Sequence, residues 1–193
     1  MRILSIDNMR EIEIKASVSN KQALVNILRD KGVELSPPIT QRDQVFGRLG
    51  VLGGSNNDAP WLRIRSETKN GNTVQIFTLK KSVTNQLDSI EHETEIADDK
   101  ELAQIITHLG FESYSDLTKT RQKAQLGDIE ICVDTVDGLG DFIEVEKLTG
   151  EDANYDEVAA ELWEVLERFG VNRSDQVTDG YDVLMHKHQG LQG

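Results

Sequence analysis

At 193 residues the chain is long enough for one large domain or two small ones, and its 37% hydrophobic and 28% charged residues fit a globular protein. A net charge of −13 argues against a general nucleic-acid binder, because phosphate-backbone contacts need a basic surface. No apolar run approaches the roughly 18–20 residues that span a bilayer, which argues against a membrane protein. Met1–Arg10 lacks the apolar core of a secretory signal, and the single Cys132 cannot form an internal disulfide, so a cytoplasmic location is expected.

The first clear element is a strand. In Arg10–Val18, Ile12, Ile14 and Ala16 alternate with Glu11, Glu13 and Lys15, a period of two. Ser19 or Asn20 then caps a helix with an apolar stripe of Leu24, Val25, Ile27 and Leu28, ended by Gly32. Past the Pro37-Pro38 break, Ile39–Arg48 reads as a second strand. The Gly-, Asn- and Ser-rich stretch 50–60 reads as a mobile loop or hairpin tip. Trp61–Glu67 alternates again, Leu62 and Ile64 against Arg63 and Arg65. The Asn70-Gly71 turn joins it to a strand over 72–83 that carries Lys80 and Lys81. Ser89–Ala97 is another strand, with Glu91, Glu93 and Glu95 on one face.

Asp98 caps a second helix that Gly110 stops. Phe111–Gln125 is long and β-like, with Lys119, Arg121 and Lys123 in step. Gly127-Asp128 and Gly138–Gly140 turn the chain into strands at Ile129–Val136 and Asp141–Leu148. A third helix over about 154–169 carries Val158, Leu162, Val165, Leu166 and Phe169 at helical spacing. Gly180–Met185 is expected to dock on the body as a short segment, and His186–Gly193 to form a frayed, solvated tail. About eight strands and three main helices, linked by hairpin turns without helix–strand alternation, indicate an α+β protein with an antiparallel sheet. No shift in composition divides the chain, so one domain over 1–193 is expected, with its core at about 10–185.

The polar faces of these strands are unusual because they hold charges in blocks: Glu11, Glu13, Lys15; Arg63, Arg65; Glu91, Glu93, Glu95; Lys119, Arg121, Lys123; and Glu144, Glu146. Like charges two apart on a strand lie about 6–7 Å from each other and repel. An open sheet with a solvated, salt-bridged face would tolerate one such block. Five blocks favour a sheet curled into a barrel, apolar faces outward against helices and charged faces lining a tunnel. Basic residues there suit phosphate oxygens, and paired carboxylates suit Mg²⁺ or Mn²⁺.

Glu11-Ile-Glu-Ile-Lys15 resembles the ExExK signature of the CYTH superfamily, the triphosphate tunnel metalloenzymes. In order along the chain, Leu62-Arg-Ile-Arg65, Thr78-Leu-Lys80, Glu93-Thr-Glu95, Lys119-Thr-Arg121 and the stretch from Asp134 through Gly138-Leu-Gly140 to Glu144-Val-Glu146 resemble further segments of that family. The resemblance covers about 10–185 and implies a closed eight-stranded antiparallel β-barrel with helices outside. It implies that Glu11 and Glu13, faced by Glu144 and Glu146, help bind Mg²⁺ or Mn²⁺, with Asp134, Glu93 and Glu95 as further tunnel acids. Lys15, Arg63, Arg65, Lys80, Lys119 and Arg121 would hold the triphosphate, and Lys15 and Arg121 are the catalytic candidates. Lys15 is either a general acid or base or a fixed phosphate-binding charge. Lys81 should point away.

Gln41-Arg-Asp43 with Val45-Phe46, and Gly180-Tyr-Asp-Val-Leu184, resemble the class IV adenylyl cyclase branch, which makes cyclic AMP and pyrophosphate from ATP. The alternatives are an inorganic or thiamine triphosphatase, acting on tripolyphosphate or thiamine triphosphate, and a binding module without turnover. Phe46, Trp61 and Phe77 are either base-stacking residues or ordinary core. None of His92, His108, His186 and His188 stands out as a ligand. By resemblance, a homodimer is a further expectation.

Overall fold

The computed structural model describes residues 9–48 and 60–190. Eight long strands run β1 (Met9–Val18), β2 (Ile39–Arg48), β3 (Trp61–Lys69), β4 (Asn72–Ser82), β5 (Asp88–Ile96), β6 (Phe111–Leu126), β7 (Ile129–Val136) and β8 (Gly140–Gly150). All neighbouring pairs are antiparallel, in the order β5-β4-β3-β2-β6-β7-β8-β1, and β1 pairs back onto β5 to close the barrel. The expected closed eight-stranded α+β barrel is therefore the observed one. The expected loop at 50–60 lies outside the described residues, apart from Pro60.

Turn and cap chemistry agree with the strand order. Asn70 and Gly71 both have positive φ, 51° and 80°, the backbone that a two-residue hairpin needs. α1 (Lys21–Asp30) starts where the Asn20 side chain accepts from the Ala23 amide at 3.0 Å, which decides between the two possible caps. α2 (Asp99–His108) and α3 (Tyr155–Arg168) are capped in the same way by Asp98 and Asn154.

The apolar positions face outward. Ile12, Ile14, Ile131, Val133, Ile143 and Val145 are buried under α1 and α3, packed on Leu24, Leu28, Leu162 and Leu166. Phe46, Leu62, Ile64, Phe77 and Leu79 do the same beneath Ile106 of α2. Phe46 and Phe77 are thus core, and of the three aromatic candidates only Trp61 reaches the barrel's interior.

Two elements depart from the sequence reading. A two-residue strand, β9 (Gln176–Val177), pairs with Lys15 and Ala16 of β1; it is too short to show a period. Of the expected frayed tail, 186–190 is instead helical, because α4 runs Tyr181–Gly190, and 191–193 lie outside the described residues. Leu117, Val136 and Phe142 turn inward at one end of the barrel, and Tyr181 and Met185 of α4 pack on them. Burying that apolar end holds the helix in place, and α4 thereby fills one end of the tunnel.

Closure rests on a short seam. β1 meets β5 over Arg10–Ile12 only, extended by a hydrogen bond from the Glu13 amide to the Leu87 carbonyl at 2.8 Å. At that seam the Arg10 guanidinium holds both carboxylate oxygens of fully buried Asp88, which also accepts from the Thr84 amide at 3.0 Å. Arg10 further donates to the carbonyls of Glu151 and Ala153. Asp88→Ala leaves a buried guanidinium without its partner, which costs about 3–5 kcal/mol. Thermal unfolding should then show a Tm lower by roughly 6–20 °C for a chain of this size.

Candidate functional site

The barrel encloses a cavity of about 250 Å³ lined by eight acids and seven bases. The period of two puts the strand residues among them there: Glu11, Glu13 and Lys15 alternate with outward Ile12 and Ile14, and Arg63 and Arg65 with outward Leu62 and Ile64. Cross-strand register then decides which charges meet. Lys15 stands opposite Glu144, Glu13 opposite Glu146, Arg65 opposite Asp43, and Lys80 opposite Glu91.

The cations stand on β1, β3, β4 and β6, and each is held by acids. Lys15 Nζ lies 3.2 Å from both Glu13 and Glu144. Arg65 makes two bonds of 2.7 Å to Asp43. Arg63 donates to Glu93 at 3.0 Å and to Thr78 at 3.1 Å, and Lys80 is 2.7 Å from Glu91. Arg121 grips Asp134 at 2.8 and 2.5 Å and also bonds Glu144, while Lys119 reaches Asp134 at 3.2 Å. All six cations expected to hold the triphosphate line the cavity, and so does Lys123. Lys81 is exposed, as expected.

The titration of these groups follows the pairing. Burial pushes Glu91 up, but Lys80 and Arg63 outweigh it and hold the carboxyl at about 2. Burial pushes Lys15 down, but Glu13 and Glu144 outweigh it and keep its proton on. That favours a fixed positive charge at Lys15 over a general base.

Three acids are neutralised only in part. Glu11, Glu13 and Glu146 each bring a carboxylate oxygen within 4.8 Å of the others. Burial, Glu91 and Glu13 push Glu11 up to about 7, despite Lys80 and Arg63. Burial and Glu144 raise Glu13, and burial and Glu11 raise Glu146 well above its ordinary range. An oxygen-rich, negatively charged cluster that holds protons in the absence of a cation suits Mg²⁺ or Mn²⁺ chemically. Glu146 also belongs to a second such group, with Glu130 and Cys132.

The other expected metal acids stand elsewhere. Glu144 lies in the cavity but is engaged by Lys15 and Arg121. Asp134 is fully buried outside the lining and orients Lys119 and Arg121. Glu93 sits on the lining, bound to Arg63 and Thr78. Glu95 is exposed and off the lining, which corrects its expected place in the tunnel. β5 meets β1 only at Asp88–Ile90, and Glu95 lies about 17 Å along the strand from that seam, beyond the closed part of the barrel.

The sequence-level site omitted Glu91, Asp43, Tyr181 and Asp182. Glu91 shares a face with Glu93, Asp43 lies in the Gln41-Arg-Asp43 stretch, and Tyr181 lies in the Gly180–Leu184 element, so each carried a signal. Tyr181 is held between two cations, with Lys15 Nζ 4.2 Å and Lys119 Nζ 4.8 Å from its ring centre, and its buried hydroxyl has no hydrogen-bond partner among the described residues. Asp182 lies in the same Gly180–Leu184 element, and its place on the lining follows from the docking of α4.

With this geometry in view, the comparisons with known proteins are direct. Residues 9–181 match the CYTH domain. The chain belongs to the CYTH domain family. One relative, the candidate adenylate cyclase of Methanocaldococcus jannaschii, is 29% identical over 173 residues, 90% of this chain and 97% of that protein. A solved Pyrococcus horikoshii structure superposes with a TM-score of 0.77 at 26% identity, over 92% of this chain and 99% of its own. A Hippeastrum protein, described as a candidate adenylyl cyclase with a dominant triphosphatase activity, gives a TM-score of 0.57 at 17% identity, over 89% of this chain and 91% of that one. Among the described residues no helix is long and apolar enough to cross a membrane.

The raised acids make a prediction for the CYTH chain kept metal-free with a chelator. The unfolded chain loses the Glu11 proton near 4.5, whereas the folded chain keeps it to about 7. The folded state therefore binds more protons across that window and loses stability as pH rises through it, and Glu13 and Glu146 act in the same direction. Differential scanning calorimetry should show the chelator-treated Tm falling from pH 5 to 8. Excess Mg²⁺ or Mn²⁺ should flatten that slope, and Glu11→Gln should shrink it.

Proposed function

We propose that this chain is a metal-dependent enzyme acting on a triphosphate in its tunnel, of the class IV adenylyl cyclase kind, converting ATP to cyclic AMP and pyrophosphate. One observation carries the reading: the Glu11–Glu13–Glu146 cluster and the cations Lys15, Arg63, Arg65, Lys80, Lys119 and Arg121 line the same enclosed cavity. The M. jannaschii relative's name supports the cyclase form of that chemistry.

In this reading Glu11, Glu13 and Glu146 hold the Mg²⁺ or Mn²⁺. Bound there, the metal neutralises polyphosphate charge and orients phosphoryl oxygens. The six cations offer their remaining hydrogen-bond donors to phosphate oxygens and bring the reacting phosphorus into line. Lys15 stays protonated between Glu13 and Glu144 and stabilises the charge that builds on the phosphoryl oxygens. Arg121, fixed by Asp134 and Glu144, does the same for the leaving pyrophosphate, and needs no reorganisation to do so. Enclosure strengthens every one of these contacts by excluding water.

Hydrolysis of the terminal phosphate is the second reading, favoured by the dominant triphosphatase activity of the Hippeastrum protein. The same cations would serve it, because only the nucleophile differs. The test is to incubate purified protein with ATP, thiamine triphosphate or tripolyphosphate and Mg²⁺ or Mn²⁺, resolving cyclic AMP, pyrophosphate and phosphate. Cyclic AMP and pyrophosphate from ATP are the expected products. Loss of an outer-shell partner of a metal costs about 10–100-fold, so Glu13→Ala, which removes a proposed ligand, should lower turnover by roughly 100-fold or more. Phosphate without cyclic AMP would make the protein a hydrolase. Tight binding without turnover would make it a sensor.

A further inference from the structure

A buried polar atom without a partner marks a place where the protein alone does not complete its hydrogen bonding. Among the described residues three such atoms belong to side chains on the cavity lining: Glu13 Oε1, Arg63 Nε and the hydroxyl of Tyr181. Glu13 Oε1 is charge-paired with Lys15 Nζ at 3.2 Å, and Arg63 bonds Glu93 and Thr78 through another nitrogen. Tyr181 has a single side-chain polar atom, and that atom is the orphan. The residue is 7% exposed, so its hydroxyl has left water with no bond in return.

Packing does not account for the hydroxyl. Lys15 and Lys119 lie over the ring, Phe142 meets it edge-on at 5.1 Å and 65°, and Leu117, Val136 and Met185 belong to the same apolar cluster. Phenylalanine would make all of these contacts without burying an unsatisfied group. The start of α4 is also tied down, because the Gly180 amide donates to the Gln86 side chain at 3.0 Å and Lys15 Nζ donates to the Asp179 carbonyl at 3.4 Å. The phenol is therefore fixed in place.

Its surroundings say what it can meet. Burial, Glu144 and Asp134 push the phenol well above its ordinary value, so it stays a neutral donor. Those two acids are the ones that hold Lys15, Lys119 and Arg121, and their oxygens are committed to these cations. What enters the cavity must bring the acceptor, and among these cations that is an anionic oxygen.

We infer that Tyr181 is a catalytic residue of this site, whose hydroxyl donates a hydrogen bond to a non-bridging oxygen of the reacting phosphoryl group. The inference rests on the triphosphate reading above and deepens it. As the attacking oxygen bonds to phosphorus and the bond to the leaving phosphate breaks, charge shifts among the phosphoryl oxygens. The phenol keeps its proton throughout, and its hydrogen bond strengthens as that charge builds. A donor fixed in advance and committed to no other acceptor does this without reorganisation.

Tyr181→Phe tests the inference, since it keeps the ring between Lys15 and Lys119. With Mg²⁺ or Mn²⁺ and whichever triphosphate the unmodified chain turns over, the variant should lose kcat by roughly 10- to 150-fold, the worth of one hydrogen bond to a charged group, and keep KM within about threefold. Calorimetry of the ligand-free variant should show a Tm unchanged or higher, because an unsatisfied buried group is gone. That combination separates catalysis from packing, since a hydroxyl kept for stability would lower the Tm when removed. A kcat within about twofold of the unmodified chain, a loss confined to KM, or a rate loss accompanied by a lower ligand-free Tm would each overturn the role of Tyr181 and leave the triphosphate reading standing. No turnover of ATP, thiamine triphosphate or tripolyphosphate by the unmodified chain would overturn the enzyme reading and this inference with it.

Discussion

Enclosing opposite charges face to face is the constraint on which this structure depends. Buried carboxylates and ammonium or guanidinium groups are costly unless each meets its opposite and its remaining hydrogen bonds are filled. The register of the eight strands meets that condition almost everywhere. Arg65 faces Asp43, Lys80 faces Glu91, and Arg121 spans Asp134 and Glu144. What remains unbalanced is the meeting of Glu11, Glu13 and Glu146, whose carboxyls burial and mutual repulsion push upward even though Lys15 pairs with Glu13. The cavity's unmet demand is thus for positive charge beside cations already suited to phosphate.

That arrangement survives only while the barrel is closed. The closing pair, β1 with β5, is three residues long, and buried Arg10 with Asp88 holds it from the face opposite the cavity. Were the seam to open, the charged faces would meet water and salt, and the forces that hold phosphate would weaken to those of surface ion pairs. At one end α4 seals the tunnel with Tyr181 and Met185, and Tyr181 doubles as a support for Lys15 and Lys119. Fold and site are therefore one construction: the packing that buries the apolar faces outside is the packing that concentrates charge inside.

The chain's own alternation of apolar and charged residues determined the strands and the inward charged face, because side chains on a strand point to opposite sides with a period of two whatever the partner; the set of six cations came from the family resemblance. The turn at Asn70-Gly71 and the caps at Asn20, Asp98 and Asn154 were equally local and equally legible. Which carboxylates share a site is a different matter. Glu91, Glu93 and Glu95 are equivalent in period, yet Glu91 lies deep in the lining, Glu93 is bound to Arg63 and Thr78, and Glu95 is outside. Asp134 reads as one more tunnel acid until the fold sets it behind Lys119 and Arg121. Stagger between strands and the docking of α4 both depend on contacts between residues far apart in the chain. Only the tertiary structure could decide them, because period fixes the side of a strand on which a residue stands, and closure fixes what stands opposite.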